Sequence, residues 1–224
     1  MHYEGYLFDL DGTLVDSLHG LHQALNLTQE QYQLPRTQAD STRPWISYGA
    51  TAIIQNNCSS NHSQSELKNS FLEFYRQYVS TGSPLFPGIE SMITMINHAQ
   101  IPWGIVTNKN TALAEKVIEN HPILQTHHVL VCGDTLATQK PDPEPILFAA
   151  KAIHKPTDVI LFVGDSIHDM HASQKAKTYS ALAYYGYIDD PKAKSLWPYH
   201  HLVESSLELS KLIQAKCHPC LPPN

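Results

Sequence analysis

Asp9 and Asp11 stand one residue apart, directly after the apolar run 6–8 and directly before Gly12 and Thr13. Side chains two positions apart on an extended chain leave on the same side, so these carboxylates repel unless a cation lies between them. A hard divalent ion with oxygen ligands resolves that conflict. Gly12 lets the chain turn tightly and offer backbone N–H groups to an anion, which makes the Gly12-Thr13 turn a candidate anion cradle. Taken alone, Asp-x-Asp after a strand also fits a calcium loop or a structural turn.

Three further groups of polar residues follow apolar runs. Thr107, Asn108 and Lys109 come after the run 103–106 and offer a hydroxyl, a backbone N–H and an amide. Donors of this kind hold the equatorial oxygens of a transferring phosphoryl group, although an ordinary helix entry has the same look. Lys140 lies in Gln139-Lys140-Pro141-Asp142-Pro143-Glu144-Pro145, where proline density stiffens the loop. A fixed ammonium there can neutralise a carboxylate nucleophile and a phosphate together; a solvated surface lysine is the plainer reading. Last comes Gly164-Asp165-Ser166-Ile167-His168-Asp169, in which Asp169 lies four positions after Asp165 and faces back toward it from a first helical turn. Mg²⁺ keeps several waters in an octahedral oxygen shell, so Asp9, Asp165 and Asp169 with one phosphate oxygen make a sufficient set. The competing reading is an acidic helix start favoured by the helix dipole. His168 is placed to touch substrate or solvent, and solvent is the plainer reading.

These residues need elements to bring them together. Strand-length apolar runs at 6–8, 103–106, 129–131, 159–163 and 180–185 alternate with helical patterns at 88–99, 111–120, 145–153, 167–176 and 206–215. Asn110 is placed to cap the second helix and Pro145 to occupy the first turn of the third. This rhythm predicts an α/β fold, a Rossmann-like open parallel sheet whose ligands bind beyond the carboxyl ends of its strands. The stretch 17–83 breaks the rhythm. Leu18, Leu21, Leu25 and Tyr32 fall on one helical face, as do Leu67, Phe71, Phe74, Tyr75 and Tyr78, with a shorter segment at 45–55. The expected organisation is a core of 1–16 and 84–216, an all-helical cap of 17–83 re-entering through Thr81-Gly82-Ser83-Pro84, and a loose tail of 217–224. Cys217 and Cys220 invite a zinc or redox reading, but no second ligand pair accompanies them.

Composition narrows the classes. Lys plus Arg number 15 against 21 Asp plus Glu, a formal charge of -6, which argues against a nucleic-acid binder with a basic face. Four cysteines are sparse for a disulfide scaffold, and residues 1–11 show no basic region followed by an apolar core. No apolar run approaches the ~20 residues that span a bilayer. The expectation is a cytoplasmic protein acting on a small molecule, a monomer or homodimer without membrane or nucleic-acid partners.

Together, Asp9-Leu10-Asp11-Gly12-Thr13, Thr107-Asn108, Lys140 and Gly164-Asp165-Ser166 with Asp169 resemble the haloacid dehalogenase superfamily, in its phosphatase branch with a helical cap. The resemblance covers nearly the whole chain and implies strand order 5-4-1-2-3. It implies that Asp9 is the nucleophile forming an aspartyl-phosphate, and that Asp11 is the general acid and base, with its carbonyl on the metal. It further implies that Thr107 and the backbone of Asn108 bind phosphate, that Lys140 pairs with Asp9 and phosphate, and that Asp165 and Asp169 complete a Mg²⁺ site. Dehalogenase members lack an acid at the position of Asp11, so a carboxylate there implies phosphoester chemistry. The segment 42–50, with Arg43 before a helix start, resembles the phosphoglycolate phosphatase group and makes Arg43 the candidate cap contact to an acidic substrate; a plain surface arginine is the alternative. A narrower resemblance, in 103–109, 140–145, 185–188 and the cysteine tail, is to N-acetylmuramic acid 6-phosphate phosphatases. Asn110, where those often have proline, and the Asn- and Ser-rich stretch 56–65 depart from it. A sugar-phosphate mutase of the same fold is a rival, although mutases typically carry an acid where this chain has Gly164. A non-catalytic binding member is the other.

Overall fold

The computed structural model describes residues 2–59, 61–79, 81–188, 190 and 192–216. At its centre lies β1 (Gly5–Phe8), whose four residues are all buried. Continuous apolar strands of this kind need cover on both faces, which parallel sheets receive from their crossover helices. The strands β1, β2 (Trp103–Val106), β3 (Val129–Val131), β4 (Ile160–Gly164), β5 (Tyr179–Ala183) and β6 (His201–Val203) form one sheet in the order β3-β2-β1-β4-β5-β6. All five pairings are parallel. The first five strands take the expected 5-4-1-2-3 order. The sixth was not foreseen, because a three-residue run opening on a histidine has no readable period. Strand β4 begins one residue later than expected, since Val159 closes a short 3₁₀ turn, and β5 is displaced toward its amino end.

The helices are α1 (Leu18–Gln31), α2 (Ala39–Thr42), α3 (Gly49–Asn57), α4 (Gln64–Tyr78), α5 (Ile89–His98), α6 (Thr111–Glu119), α7 (Glu144–Ala152), α8 (Ile167–Ala176), α9 (Ala193–Leu196) and α10 (Ser206–Lys216). Strand alternation sorts their packing. Tyr6, Phe8 and Ile105 face α5, α6 and α10, whereas Leu7, Val106 and Phe162 face Ile146 and Ala149 of α7 and Ala172 of α8. Asn110 caps α6 as expected, its side chain accepting from the Leu113 N–H at 3.0 Å. None of the described helices is long and apolar enough to cross a membrane.

Helices α1 to α4 lie between β1 and β2 in the chain and pack on one another through Leu21, Leu25, Ile54, Leu67 and Phe71. Their apolar cluster runs on into Phe8, Leu10 and Trp103 of the sheet layer. The chain enters and leaves this helical insert side by side: Asp16 N–H donates to the Pro84 carbonyl at 2.8 Å, Gly20 N–H to Gly82 at 3.2 Å, and Phe86 N–H to Leu14 at 3.0 Å. Gly82 allows the crossing, since a Cβ there would lie 2.5 Å from Gly20 Cα and 2.8 Å from the Tyr78 carbonyl oxygen. Both obstacles are backbone, so a side chain cannot be admitted by a rotamer change. Gly82→Ala is expected to cost about 1–3 kcal/mol, as overpacking does; urea unfolding checks this, and an unchanged midpoint would show that the crossing yields freely.

Candidate active site

Strands β1 and β4 are neighbours, and the chain runs from β1 through β2 to β3 on one side before crossing to β4 on the other, so their carboxyl ends form the switch point where such sheets bind ligands. Asp9 follows β1, Asp165 follows β4, and Asp169 sits in the first turn of α8. All three carboxylates are buried, and one oxygen of each lies within 4.8 Å of the others. Lys140 Nζ closes on this group, 2.8 Å from Asp9 Oδ1 and 2.6 Å from Asp169 Oδ1, and donates to the Val106 carbonyl at 2.7 Å. Ser166 fixes Asp169, its N–H and hydroxyl donating to Asp169 Oδ2 at 3.0 and 2.6 Å. Asp165 Oδ2 accepts from Tyr187 N–H at 2.8 Å and from the Ser47 hydroxyl at 3.1 Å, while its buried Oδ1 has no hydrogen-bond partner.

Three buried acids against one ammonium leave an excess of negative charge. Burial, then repulsion from Asp9 and Asp169, pushes Asp165 well above the usual carboxylate range. Burial likewise raises Asp9 to about 6, opposed by Lys140 and reinforced by Asp169. Burial disfavours the Lys140 ammonium, but Asp169 and Asp9 outweigh it and hold its pKa above the ordinary value. A divalent cation fits this donor set: the ligands are hard oxygens, their mutual repulsion needs a counter-charge, and Asp165 Oδ1 is an unsatisfied acceptor.

Asp11 is held apart from that group. Lys109 Nζ grips both its oxygens at 2.9 and 3.0 Å and reaches Tyr75 Oη of α4 at 2.8 Å. Burial opposes the Lys109 charge, but Asp11 and Tyr75 more than compensate. A cavity of about 440 Å³ opens above, between sheet ends and insert. Asp9, Asp11, Thr107, Asn108 and Lys140 line its floor, and Tyr48, Lys68, Phe71, Leu72 and Tyr75 line its insert side.

The remaining expected residues fall in different places. Asn108, expected to act through its backbone, lines the cavity, and its side chain braces the Lys140 loop, accepting from Lys140 N–H at 3.1 Å and donating to the Lys140 carbonyl at 2.9 Å. Thr107 is buried at the cavity floor, where its Oγ1 accepts from Lys109 N–H at 3.2 Å. Gly12 N–H is committed to the Val15 carbonyl at 2.9 Å, so the glycine serves instead as space: a Cβ there would lie 2.1 Å from Asp165 Oδ2. Thr13 is fully buried away from the cavity. Arg43 does not line the cavity either. It donates to the Tyr185 and Gly186 carbonyls and lies 5.5 Å from the centre of the Tyr187 ring, so it fastens the insert to the sheet layer rather than facing a ligand. His168, for which solvent was the plainer of two readings, is half-buried at the cavity against Tyr48. Cys217 and Cys220 lie outside the described residues.

Four contributors were missed. Lys109 carried a signal, since it directly follows Thr107 and Asn108. Tyr75 was hidden in an apolar helical stripe, and Ser47 had no signal at all. Tyr187 is the fourth: its N–H holds Asp165, and its hydroxyl accepts from Ser17 N–H at 2.6 Å and Leu18 N–H at 3.1 Å while donating to Asp16 Oδ1 at 2.8 Å.

A parallel sheet with acids at the ends of β1 and β4 beneath a helical insert defines a class of hydrolases, and a family model for haloacid dehalogenase-like hydrolases matches residues 6–183. The chain belongs to the haloacid dehalogenase-like hydrolase family, in its phosphatase class. It is 30% identical over 98% of its length to the full length of an N-acetylmuramic acid 6-phosphate phosphatase from Pseudomonas putida. It is 35% identical over 91% of its length to a phosphoglycolate phosphatase from Xanthomonas campestris, 93% of which is covered. A crystal structure described as a predicted phosphoglycolate phosphatase from Haemophilus somnus superposes with a TM-score of 0.84 over 95% of this chain and 98% of that one; at 24% identity it speaks for the fold alone.

The charge excess has a measurable sign. Between the ordinary carboxylate value of 3.8 and about 6, folded Asp9 keeps a proton that the unfolded chain has released. Stability therefore falls as pH rises through that window, and the cost is fully present above it, on the order of 2–3 kcal/mol. In EDTA at pH 7, Asp9→Asn is expected to unfold at higher urea than the wild type, with the difference gone by about pH 4. A variant less stable than the wild type at pH 7 would show that Lys140 already balances the acids.

Proposed function

We propose that the chain is a magnesium-dependent phosphomonoester hydrolase acting on a small acidic phosphometabolite, in the manner of phosphoglycolate phosphatases, through an aspartyl-phosphate on Asp9. The observation that carries this reading is Lys140 closed on Asp9 and Asp169 beside an unsatisfied Asp165 oxygen, at the floor of a cavity. Asp9, Asp165 and Asp169, with the Asp11 carbonyl, would hold the magnesium ion, which when bound supplies positive charge for the phosphoryl oxygens.

The chain's own residues account for the rest. Lys140 keeps Asp9 ionised and aimed, and Thr107 offers its hydroxyl to a phosphoryl oxygen. An Asp9 oxygen bonds to phosphorus as the ester P–O bond breaks, and the leaving oxygen takes a proton from Asp11. Water then attacks phosphorus, Asp11 accepts its proton, the bond to Asp9 breaks, and inorganic phosphate leaves. Asp11 must exchange its hold on Lys109 for a proton before the first step, so the Lys109–Tyr75 link ties that exchange to the insert. In this reading residues 17–83 are a cap over a core of 1–16 and 84–216, excluding water when they close. The setting is the cytoplasm, and the enzyme works as a monomer or homodimer.

A second reading, an N-acetylmuramic acid 6-phosphate phosphatase, is favoured by one feature. The cavity of about 440 Å³ is walled in part by Leu21, Ile46, Phe71 and Leu72, more room and more apolar surface than a two-carbon acid uses. Purified protein is expected to release phosphate from phosphomonoesters only with Mg²⁺. Asp9→Asn is expected to lower kcat by roughly 10³-fold or more, as loss of a nucleophile does. A hydroxylamine-labile phosphoryl group should appear on the wild type and not on the variant. Equal turnover by the two proteins would remove Asp9 from its assigned role.

A further inference from the structure

Three lysines line the cavity: Lys68, Lys109 and Lys140. Two have their charges matched, Lys140 by Asp9 and Asp169, and Lys109 by Asp11. Among the described residues lining the cavity, Asp9 and Asp11 are the only acids, and each already holds a lysine. Lys68, half-buried on α4, has no ion pair or hydrogen bond to any described residue. It is the one unspent cation facing the cavity among the described residues.

Its position along α4 sets a length. Lys68, Phe71, Leu72 and Tyr75 share one helical face, and all four line the cavity. Tyr75 marks the catalytic end, because its hydroxyl meets Lys109 over Asp11. Lys68 begins about two turns earlier, a rise of roughly 10 Å along the axis. Phe71 and Leu72 fill the interval with apolar surface, suited to the body of a ligand rather than to a charged end.

We propose that Lys68 receives a carboxylate at the far end of a sugar-sized phosphomonoester whose phosphate lies at Asp9, and so sets the substrate class. This inference rests on the phosphatase reading above. It moves recognition of the acid group from Arg43, which is engaged with the Tyr185 and Gly186 carbonyls, to a residue of α4. An ammonium that meets its partner equally in the bound and reacting states changes KM and leaves kcat nearly alone.

The test compares two sugar phosphates that differ in one carboxylate-bearing group, N-acetylmuramic acid 6-phosphate and N-acetylglucosamine 6-phosphate, with phosphoglycolate as a short acid. The wild type is expected to prefer the carboxylated sugar. Lys68→Met is expected to raise KM for that sugar by about 10- to 100-fold, with kcat within about threefold, and to leave KM for the uncarboxylated sugar and for phosphoglycolate within about threefold. Lys68→Arg, which keeps the charge, is expected to retain most of the preference. Equal losses on both sugars, no loss, or a loss on phosphoglycolate as large as on the carboxylated sugar overturns the proposal. A wild type that releases phosphate from none of the three esters would instead sink the phosphatase reading.

Discussion

Three carboxylates that ought to repel are held within 4.8 Å of one another in a buried pocket, with a single lysine between two of them. Nothing in water would assemble such a group, because each acid would remain separately hydrated. Here the assembly is imposed by the sheet. Adjacent parallel strands fix the ends of β1 and β4 side by side, and a capping box fixes Asp169 at the start of α8. The apolar layers on both faces of the sheet hold these ends in place against the repulsion. The protein therefore keeps at its centre an electrostatic strain that an incoming cation can relieve, a common relation between stability and function at active sites.

The supports of that cluster explain several residues with no direct part in chemistry. Asn108 clamps both backbone groups of Lys140, so the ammonium reaches the acids from an anchored loop. Tyr187 joins three regions: its N–H holds Asp165, its hydroxyl receives the N–H groups where α1 begins, and its ring lies against Arg43. Ser47, four residues beyond Arg43, also bonds Asp165. The insert is thus fastened to the sheet layer beside an acid of the cluster, and on the opposite side Tyr75 reaches Lys109 over Asp11. Displacing the insert would change the hydrogen bonding of Asp165 and the ion pair of Asp11 together.

The repeating order of the chain was legible because it rests on local rules. Apolar strand-length runs alternating with helical patterns gave a parallel α/β sheet, and acids and donors directly after those runs marked the ends that matter. Asp9, Asp165, Asp169 and Lys140 could be nominated together for this reason, since residue type and the position after a strand were enough. Asn110 was legible as a cap for the same local reason. The strand β6 was not, since three residues carry no period and its pairing with β5 depends on a neighbour twenty residues away.

What the sequence by itself determined was the class of fold, the four polar groups and the presence of a helical insert, because each follows from periodicity or from chemistry within a few residues. Only the tertiary structure decided what those groups are spent on. It turned Arg43 from the cavity toward backbone carbonyls, used up the Gly12 N–H, buried Thr13, gave Lys109 to Asp11 and left Lys68 without a partner among the described residues. The reason is physical: whether a charge or a donor is available to a ligand depends on which partners, distant in sequence, have already satisfied it, and that is settled when the insert packs against the sheet.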